Sequence, residues 1–230
     1  MEQRNASPGR QGTAAVIPAY NEAKHLGDVV RRARAELDHV LVVDDGSTDE
    51  TAAQAQAAGA ELLVHPENRG KGESIKAGLR YWLERDFTWV VILDADGQHR
   101  PEEIDRMLSA AESTGALLLV GNRMNDVSSM PLVRQRVNRY MSEKISRVCG
   151  QQIPDTQCGF RMIHRDLIPI VLTGTNRFDY ETEMLILASR KNFRIGSVPI
   201  TTVYSDEVSS IHPVRDTLRF FKLMRRYRKI

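Results

Sequence analysis

The chain has 230 residues, of which 41% are hydrophobic and 27% charged, with a formal net charge of +2 and two cysteines. That is the composition of an ordinary globular protein large enough to bury its own core without disulfides or a structural metal. No apolar run approaches the roughly 20 residues that cross a bilayer, residues 1–12 lack the apolar stretch of a secretory signal, and Cys149 and Cys158 show no metal-ligand spacing, so a cytoplasmic protein is expected.

After a polar leader (residues 1–12), Thr13 to Ile17 reads as a short buried strand, stopped by Pro18-Ala19-Tyr20-Asn21-Glu22. From Glu22 to Leu37, apolar Leu26, Val29, Val30, Ala33 and Leu37 recur at helical spacing. Val40 to Val43 is a second strand, closed by Asp44-Asp45-Gly46-Ser47-Thr48-Asp49-Glu50. Ser47 and Glu50 have the spacing of a capping box for the alanine-rich helix that runs to Ala58. That accounts for Ser47 but not for the two acids ahead of the glycine, and a carboxylate at a strand end suits a nucleobase or ribose. Glu61 to Val64 is a third strand, and a polar loop leads to a helix over Glu73 to Glu84. In that loop Asn68-Arg69-Gly70-Lys71-Gly72 sets two cations among glycines before a helix. The arrangement suits a phosphate, although it matches neither the P-loop nor the dinucleotide pattern.

Trp89 to Leu93 is apolar and largely β-branched or aromatic, as in a strand buried on both faces. It ends in Asp94-Ala95-Asp96-Gly97-Gln98-His99. Carboxylates at i and i+2 of an extended stretch point the same way and repel unless a cation lies between them. Mg²⁺ is commonly held by one or two carboxylates plus substrate phosphates. Taken alone, the motif reads first as a strand-to-helix turn, with Gly97 for the bend and Pro101 opening a helix to Ser113. Leu117 to Val120 is a fifth strand, ending in Gly121-Asn122-Arg123. Strand and helix thus alternate with short connections, the signature of a parallel sheet covered by helices. The polar motifs all follow strands, at the carboxyl edge where such sheets bind ligands.

Beyond residue 123 the pattern changes. A helical stretch within residues 128–149 carries Arg134, Arg136, Arg139, Lys144 and Arg147. Asp155-Thr156-Gln157-Cys158-Gly159-Phe160-Arg161 turns into a short strand ending at Ile163. Phe178-Asp179-Tyr180-Glu181-Thr182-Glu183 opens a helix to Ser189, and Ile195 to Val203 is a last strand. Residues 214–230 plot as an amphipathic helix, with Phe220, Leu223, Met224 and Tyr227 on one arc and six basic residues from Arg219 onward. Such a helix binds a membrane surface or packs on its own domain. No recognition motif accompanies the charge, so nucleic acid is not expected as a partner.

Taken in order, the motifs at Pro18–Glu22, Val42–Asp49, Asn68–Gly72 and Asp94–His99 resemble those of the family-2 glycosyltransferases of GT-A fold. Gly121-Asn122-Arg123, the Asp155–Arg161 turn and the acidic run at residues 179–183 resemble the polyprenyl-phosphate branch, relatives of the dolichyl-phosphate mannose and glucose synthases. The resemblance runs from about Thr13 to Leu223. It implies an α/β GT-A fold: a Rossmann-like, mostly parallel sheet flanked by helices, with a mixed α+β acceptor region. Residues 13–123 would form the nucleotide-sugar half and residues 124–213 the acceptor half.

The resemblance further implies an inverting hexosyltransferase that uses a GDP- or UDP-hexose and Mg²⁺ or Mn²⁺. Pro18, Tyr20, Asn21, Glu22, Val43, Asp45 and Gly46 would hold the nucleoside, with Lys71 and Ala95 on the donor. Asp94, Asp96 and Gln98 would hold the metal and diphosphate. Asp96, Arg123 and Glu181 would carry the chemistry, with Arg136 and Arg161 further cations near the acceptor or donor phosphates. The acceptor would be a polyprenyl phosphate, and the enzyme would sit at the inner face of the membrane through residues 214–230. Cys158 departs from the serine that many relatives carry. Alternatives left open are a hydroxyl acceptor, with Asp179, Glu181 or Glu183 as base, a nucleotidyltransferase on a similar sheet, and a sugar-nucleotide-binding protein without turnover.

Overall fold

The computed structural model describes residues 9–128, 130–174 and 180–201, together with Arg225 and Tyr227. Seven strands form one sheet: β1 (Thr13–Ala19), β2 (Val40–Asp44), β3 (Glu61–Val64), β4 (Trp89–Ile92), β5 (Leu118–Asn122), β6 (Arg161–His164) and β7 (Ile195–Pro199). Their order is β3-β2-β1-β4-β6-β5-β7, and only β6 runs antiparallel to its neighbours. The α/β fold with a mostly parallel sheet is thus as the sequence predicts. β1, β2 and β4 are buried along their whole length, so they read in sequence as unbroken apolar runs.

The helices are α1 (Ala23–Glu36), α2 (Thr51–Ala57), α3 (Lys71–Leu83), α4 (Ile104–Thr114), α5 (Leu132–Cys149), the single turn α6 (Ile168–Val171) and α7 (Tyr180–Arg190). α1 and α2 each link neighbouring parallel strands, and α3 carries the chain from β3 past β2 and β1 to β4. Close packing of α3 on β1 requires a glycine: a Cβ at Gly78 would meet the Val16 side chain at 2.7 Å. Trp82 fills the space one turn on, and its indole N–H donates to the Ala15 carbonyl at 3.0 Å.

The two expected halves share this sheet, because β6 inserts between β4 and β5 and β7 extends the β5 edge. Residues 155–160 thereby arrive beside the end of β4. The expected capping box is not formed. Helix α2 starts at Thr51, and Ser47 instead accepts the Asn21 N–H at 2.9 Å. The loops after β1 and β2 are stitched together there, because Thr48 also donates to the Asn21 side chain and Glu22 N–H donates to Thr51. Most of the tail, residues 202–230, lies outside the described residues. Of it, Arg225 is exposed, while Tyr227 is buried with its ring 4.4 Å from the Arg190 guanidinium of α7 and its hydroxyl donating to Glu183.

Candidate active site

The polar motifs meet at the carboxyl edge of the sheet, and backbone pairing places them there. Ala19 of β1 is in register with Asp44 of β2, and the Leu93 N–H donates to the Val16 carbonyl, which holds the turn after β4 beside the last residues of β1. Pro18 and Val43 are backbone partners within the sheet, whereas Tyr20 stands out from the edge, 46% exposed. Gly46 has φ +75° and touches the Glu67–Asn68 backbone so closely that a Cβ would fall 2.7 Å from a carbonyl carbon. The β2 loop and the loop ahead of α3 are therefore one packed unit.

Asp45 fixes that unit. Its carboxylate accepts the backbone N–H groups of Arg69 at 2.9 Å and Gly70 at 2.7 Å, and it pairs with His65 Nδ1 at 2.8 Å. A buried carboxylate with three such partners holds the first turn of α3 in place. Asp45 thus serves the loop, and through it the aim of Lys71. Lys71, the first residue of α3, reaches Asp94 Oδ1 at 2.6 Å and Glu181 Oε2 of α7 at 3.1 Å. Burial alone would lower the ammonium's pKa, but Asp94 and Glu181 override it and hold Lys71 charged, above the usual lysine value. Burial would likewise raise the Asp94 carboxyl, yet Lys71 draws it well below the carboxylate range.

Asp96 is in the opposite condition. Burial, and then the charge of Asp94, push its carboxyl up. Among the described residues it makes no ion pair; one oxygen accepts the Gln98 N–H at 2.9 Å across the bend at Gly97 (φ +74°). Ala95 between the two acids is buried, and Gln98 is half-buried. His99, also in this turn, faces inward. Its Nδ1 lies 3.3 Å from the Asp94 N–H and accepts it, leaving the proton on Nε2 towards Cys158 Sγ, 3.9 Å away. Burial lowers the His99 pKa and keeps the ring neutral, and pushes the Cys158 thiol up to about 12.

On the other side, Arg123 forks onto Asp155 with bonds of 2.7 and 2.9 Å, both side chains being buried. The expected phosphate contact of Arg123 therefore competes with a bidentate partner that sequence reading missed. Arg161 is not available to a phosphate. It is fully buried and donates to the backbone carbonyls of Cys158, Thr156 and Glu181. These bonds tie the 156–160 turn to the first turn of α7, so Gly159 lies against Asp94 and Glu181 faces Lys71. Glu181 Oε1 is buried and has no hydrogen-bond partner among the described residues. Glu183 points away into the core beside Tyr227, and Asp179 lies outside the described residues. Arg136 stands exposed on α5, beyond this cluster.

The cluster of Lys71, Arg123, Asp94, Asp96, Asp155 and Glu181 holds two bases against four acids. Its excess negative charge fits a divalent cation, and Asp96 is the carboxylate with charge left to give. Among the described residues no three or more His, Cys, Asp or Glu side chains gather as a closed metal site. Two carboxylates with the remaining positions open suit an ion that shares its shell with substrate oxygens.

The profile of "Glycosyl transferase family 2" matches residues 14–169, most of the sheet and every motif from Pro18 to Arg161. The chain belongs to glycosyl transferase family 2. Within the family it is 32% identical over 205 residues to the polyprenol monophosphomannose synthase of Mycolicibacterium smegmatis, covering 83% of this chain and 77% of that one. It is 28% identical over 214 residues to the UDP-N-acetylglucosamine--dolichyl-phosphate N-acetylglucosaminyltransferase of Methanococcus voltae, covering 83% and 85%. The fold matches that of glucosyl-3-phosphoglycerate synthase from Mycobacterium tuberculosis, solved with Mn²⁺, UDP and phosphoglyceric acid. That match has a TM-score of 0.71 at 16% identity and covers 94% of this chain and 77% of that one. The protein is a GT-A glycosyltransferase whose relatives include polyprenyl- and dolichyl-phosphate sugar transferases. Among the described residues no helix is long and apolar enough to cross a membrane.

Proposed function

We propose that this family-2 enzyme transfers a hexose from a UDP- or GDP-sugar to a polyprenyl phosphate, with inversion at the anomeric carbon and dependence on Mg²⁺ or Mn²⁺. The observation that carries the reading is the Asp94–Lys71–Glu181 ion-pair chain beside Asp96, which has no ion pair among the described residues, at the sheet's carboxyl edge. Asp94 and Asp96 would hold the cation, with Gln98 beside them; a divalent ion there neutralises charge that grows on the departing diphosphate. The nucleoside would lie over the packed loops of Tyr20–Glu22 and Asp45–Gly46, and Lys71 would face the donor's phosphates from the first turn of α3.

An acceptor phosphate oxygen is already anionic and needs no base to become a nucleophile. It needs its charge balanced, and Arg123, shared with Asp155, is the buried cation that would supply this. Attack from the face opposite the leaving diphosphate inverts the sugar. The names of the relatives support the lipid-phosphate class of acceptor. One observation favours a second reading, a hydroxyl acceptor: Glu181 Oε1 is buried without a partner among the described residues, as an oxygen awaiting a proton would be.

A panel of UDP- and GDP-hexoses crossed with undecaprenyl or dolichyl phosphate and with hydroxyl acceptors decides between them. Release of nucleoside diphosphate that requires the lipid phosphate, requires added Mg²⁺ or Mn²⁺ and yields the opposite anomer supports the proposal. Release only with hydroxyl acceptors supports the second reading, and release of inorganic diphosphate overturns both.

A further inference from the structure

Helix α3 carries two lysines, and the reaction cluster uses only the first. Lys76 stands about 7.5 Å along the helix axis from Lys71 and is 3% exposed. A lysine is almost never buried unless its charge is met, because taking an ammonium out of water is costly. On its own helix the residues one turn to either side, Glu73 and Arg80, are paired with each other at 2.9 Å. Lys76 is turned instead onto the connection between α6 and α7.

Its ammonium holds both ends of that connection. Nζ donates to the carbonyl of Gly174, three residues past α6, and lies 5.3 Å from the ring centroid of Tyr180, the first residue of α7. The two ends also touch each other: a Cβ at Gly174 would fall 3.0 Å from Glu183 Oε2 and 3.2 Å from the Tyr180 ring. Tyr180 is fully buried, and its hydroxyl has no hydrogen-bond partner among the described residues. What it offers to Lys76 is the face of its ring.

The residue after Tyr180 is Glu181, which meets Lys71 at 3.1 Å. The first N–H groups of a helix have no acceptor within it, so a helix start is held in place by its surroundings. The start of α7 is held from two sides. Arg161 of β6 donates to the Glu181 carbonyl, and Lys76 of α3 takes Gly174 and Tyr180. The second hold matters for the site, because α3 is also the helix that presents Lys71. One rigid helix thus carries the partner of Glu181 at its first residue and the clamp behind Glu181 little more than a turn later.

We propose that Lys76 is a positioning residue for sugar transfer: by clamping Gly174 and Tyr180 to α3, it fixes the first turn of α7 and keeps Glu181 on Lys71. The proposal rests on the Lys71–Glu181 pair having a part in the transfer, and is independent of which acceptor is used.

Two measurements on the full chain test it, with Lys76→Met as the variant. Amide hydrogen exchange of the free protein, without donor or acceptor, is faster by about tenfold at residues 181–186 in the variant. Turnover is read with whichever acceptor the donor and acceptor panel identifies, so the lipid-phosphate reading can fail while this test stands. The variant lowers kcat about tenfold and leaves KM for the donor within about twofold, because the nucleoside loops are tied to α3 through Asp45 and not through α7. In a Glu181→Gln background the same substitution lowers kcat by less than about twofold, since the group it positions is already gone. Lys76→Gln, which is also neutral and shorter, gives the same pattern and takes the place of Lys76→Met should that variant not fold. Unchanged exchange at the start of α7 overturns the proposal. So does faster exchange with wild-type kcat, which leaves Lys76 a structural role only. A loss of kcat that is undiminished in the Glu181→Gln background overturns it too, since Lys76 would then act through some other group.

Discussion

Lys71 Nζ lies 2.6 Å from Asp94 Oδ1, in the place beside the first acid of the Asp94-Ala95-Asp96 motif where a sequence reader expects a metal. The lysine, shared with Glu181 at 3.1 Å, already balances Asp94 and so divides the labour between two carboxylates that look equivalent in sequence. Asp94 is held ionised by the protein itself, whereas burial and the charge of Asp94 disfavour the ionised form of Asp96.

Removing that lysine should be felt in stability and in turnover. Lys71→Met leaves Asp94 and Glu181 facing each other near Asp96, a loss of about 1–3 kcal/mol for a partly buried pair. The sign follows from linkage. Asp94, depressed in the folded state, contributes stability that is present above the unfolded carboxyl value of about 3.9 and lost as pH falls through its lower folded value. Lys71, raised in the folded state, contributes below about pH 10.4, and that contribution is lost as pH rises through its folded value. The difference between wild type and variant is therefore full near pH 7 and shrinks as acid protonates the variant's carboxylates. Urea unfolding at neutral and mildly acidic pH measures it. In the same variant kcat/KM should fall by about 10²-fold, as for loss of one preorganised charge.

Asp96→Asn should separate stability from activity. The raised carboxyl means that folding disfavours the charged form of Asp96. Neutralising it relieves the repulsion from Asp94 and should leave the metal-free protein as stable or up to about 1 kcal/mol more stable. Turnover should fall by more than about 10²-fold. Mn²⁺ plus nucleoside diphosphate should raise the melting temperature of the wild type and leave that of the variant unchanged. Differential scanning fluorimetry with and without Mn²⁺ and UDP reads both effects, and an unchanged metal response would remove Asp96 from the cation site.

The fold was legible because β1, β2 and β4 are buried on both faces and appear as short apolar runs, each followed by polar residues at one sheet edge. What was not legible depended on partners distant in sequence. Ser47 has capping-box spacing, yet it bonds Asn21, 26 residues away, because the β1 and β2 loops lie side by side. Arg161 looks like a phosphate ligand until β6 is inserted beside β4, which buries it among carbonyls. Asp155 as the partner of Arg123 and Gly159 as the floor under Asp94 follow from the same insertion. Glu181 had the ordinary explanation of an acid in a first helical turn, and only the reach of Lys71 distinguishes it. His99 lay in plain view, but its inward turn comes from packing on Phe160, 5.6 Å between ring centroids.

Tyr227 should prove to be fastened to α7. Its hydroxyl donates to the buried Glu183 and its ring stacks near Arg190. Tyr227→Phe deletes a hydrogen bond to a buried carboxylate and should cost about 1–3 kcal/mol. Tyr227→Ala should cost more, since the ring's burial and its contact with the guanidinium go too. Because α7 also carries Glu181, loosening the anchor should lower kcat as well as the urea midpoint. Equal stability of all three chains would show that the contacts of Tyr227 with α7 contribute nothing to folding.

Gly159→Ala tests the geometry of the site more narrowly than any change of charge. A Cβ at Gly159 would lie 2.8 Å from Asp94 Oδ1 and nearer still to Oδ2, so the carboxylate must turn or the 156–160 segment must retreat. Arg161 pins that segment through the Thr156 and Cys158 carbonyls, which makes retreat the harder course. Asp94 should therefore swing and break its contact with Lys71. The expected result is a modest loss of stability, about 1–3 kcal/mol, with a disproportionate fall in kcat/KM of about 10²-fold. Gly78→Ala supplies the contrast, since its Cβ would strike Val16 in the core between α3 and β1, away from the acids. It should lower stability by a similar amount and leave kcat/KM within about threefold of wild type at temperatures where it remains folded. If the two variants lost activity in proportion to stability alone, the placement of Asp94 against Gly159 would have no catalytic meaning.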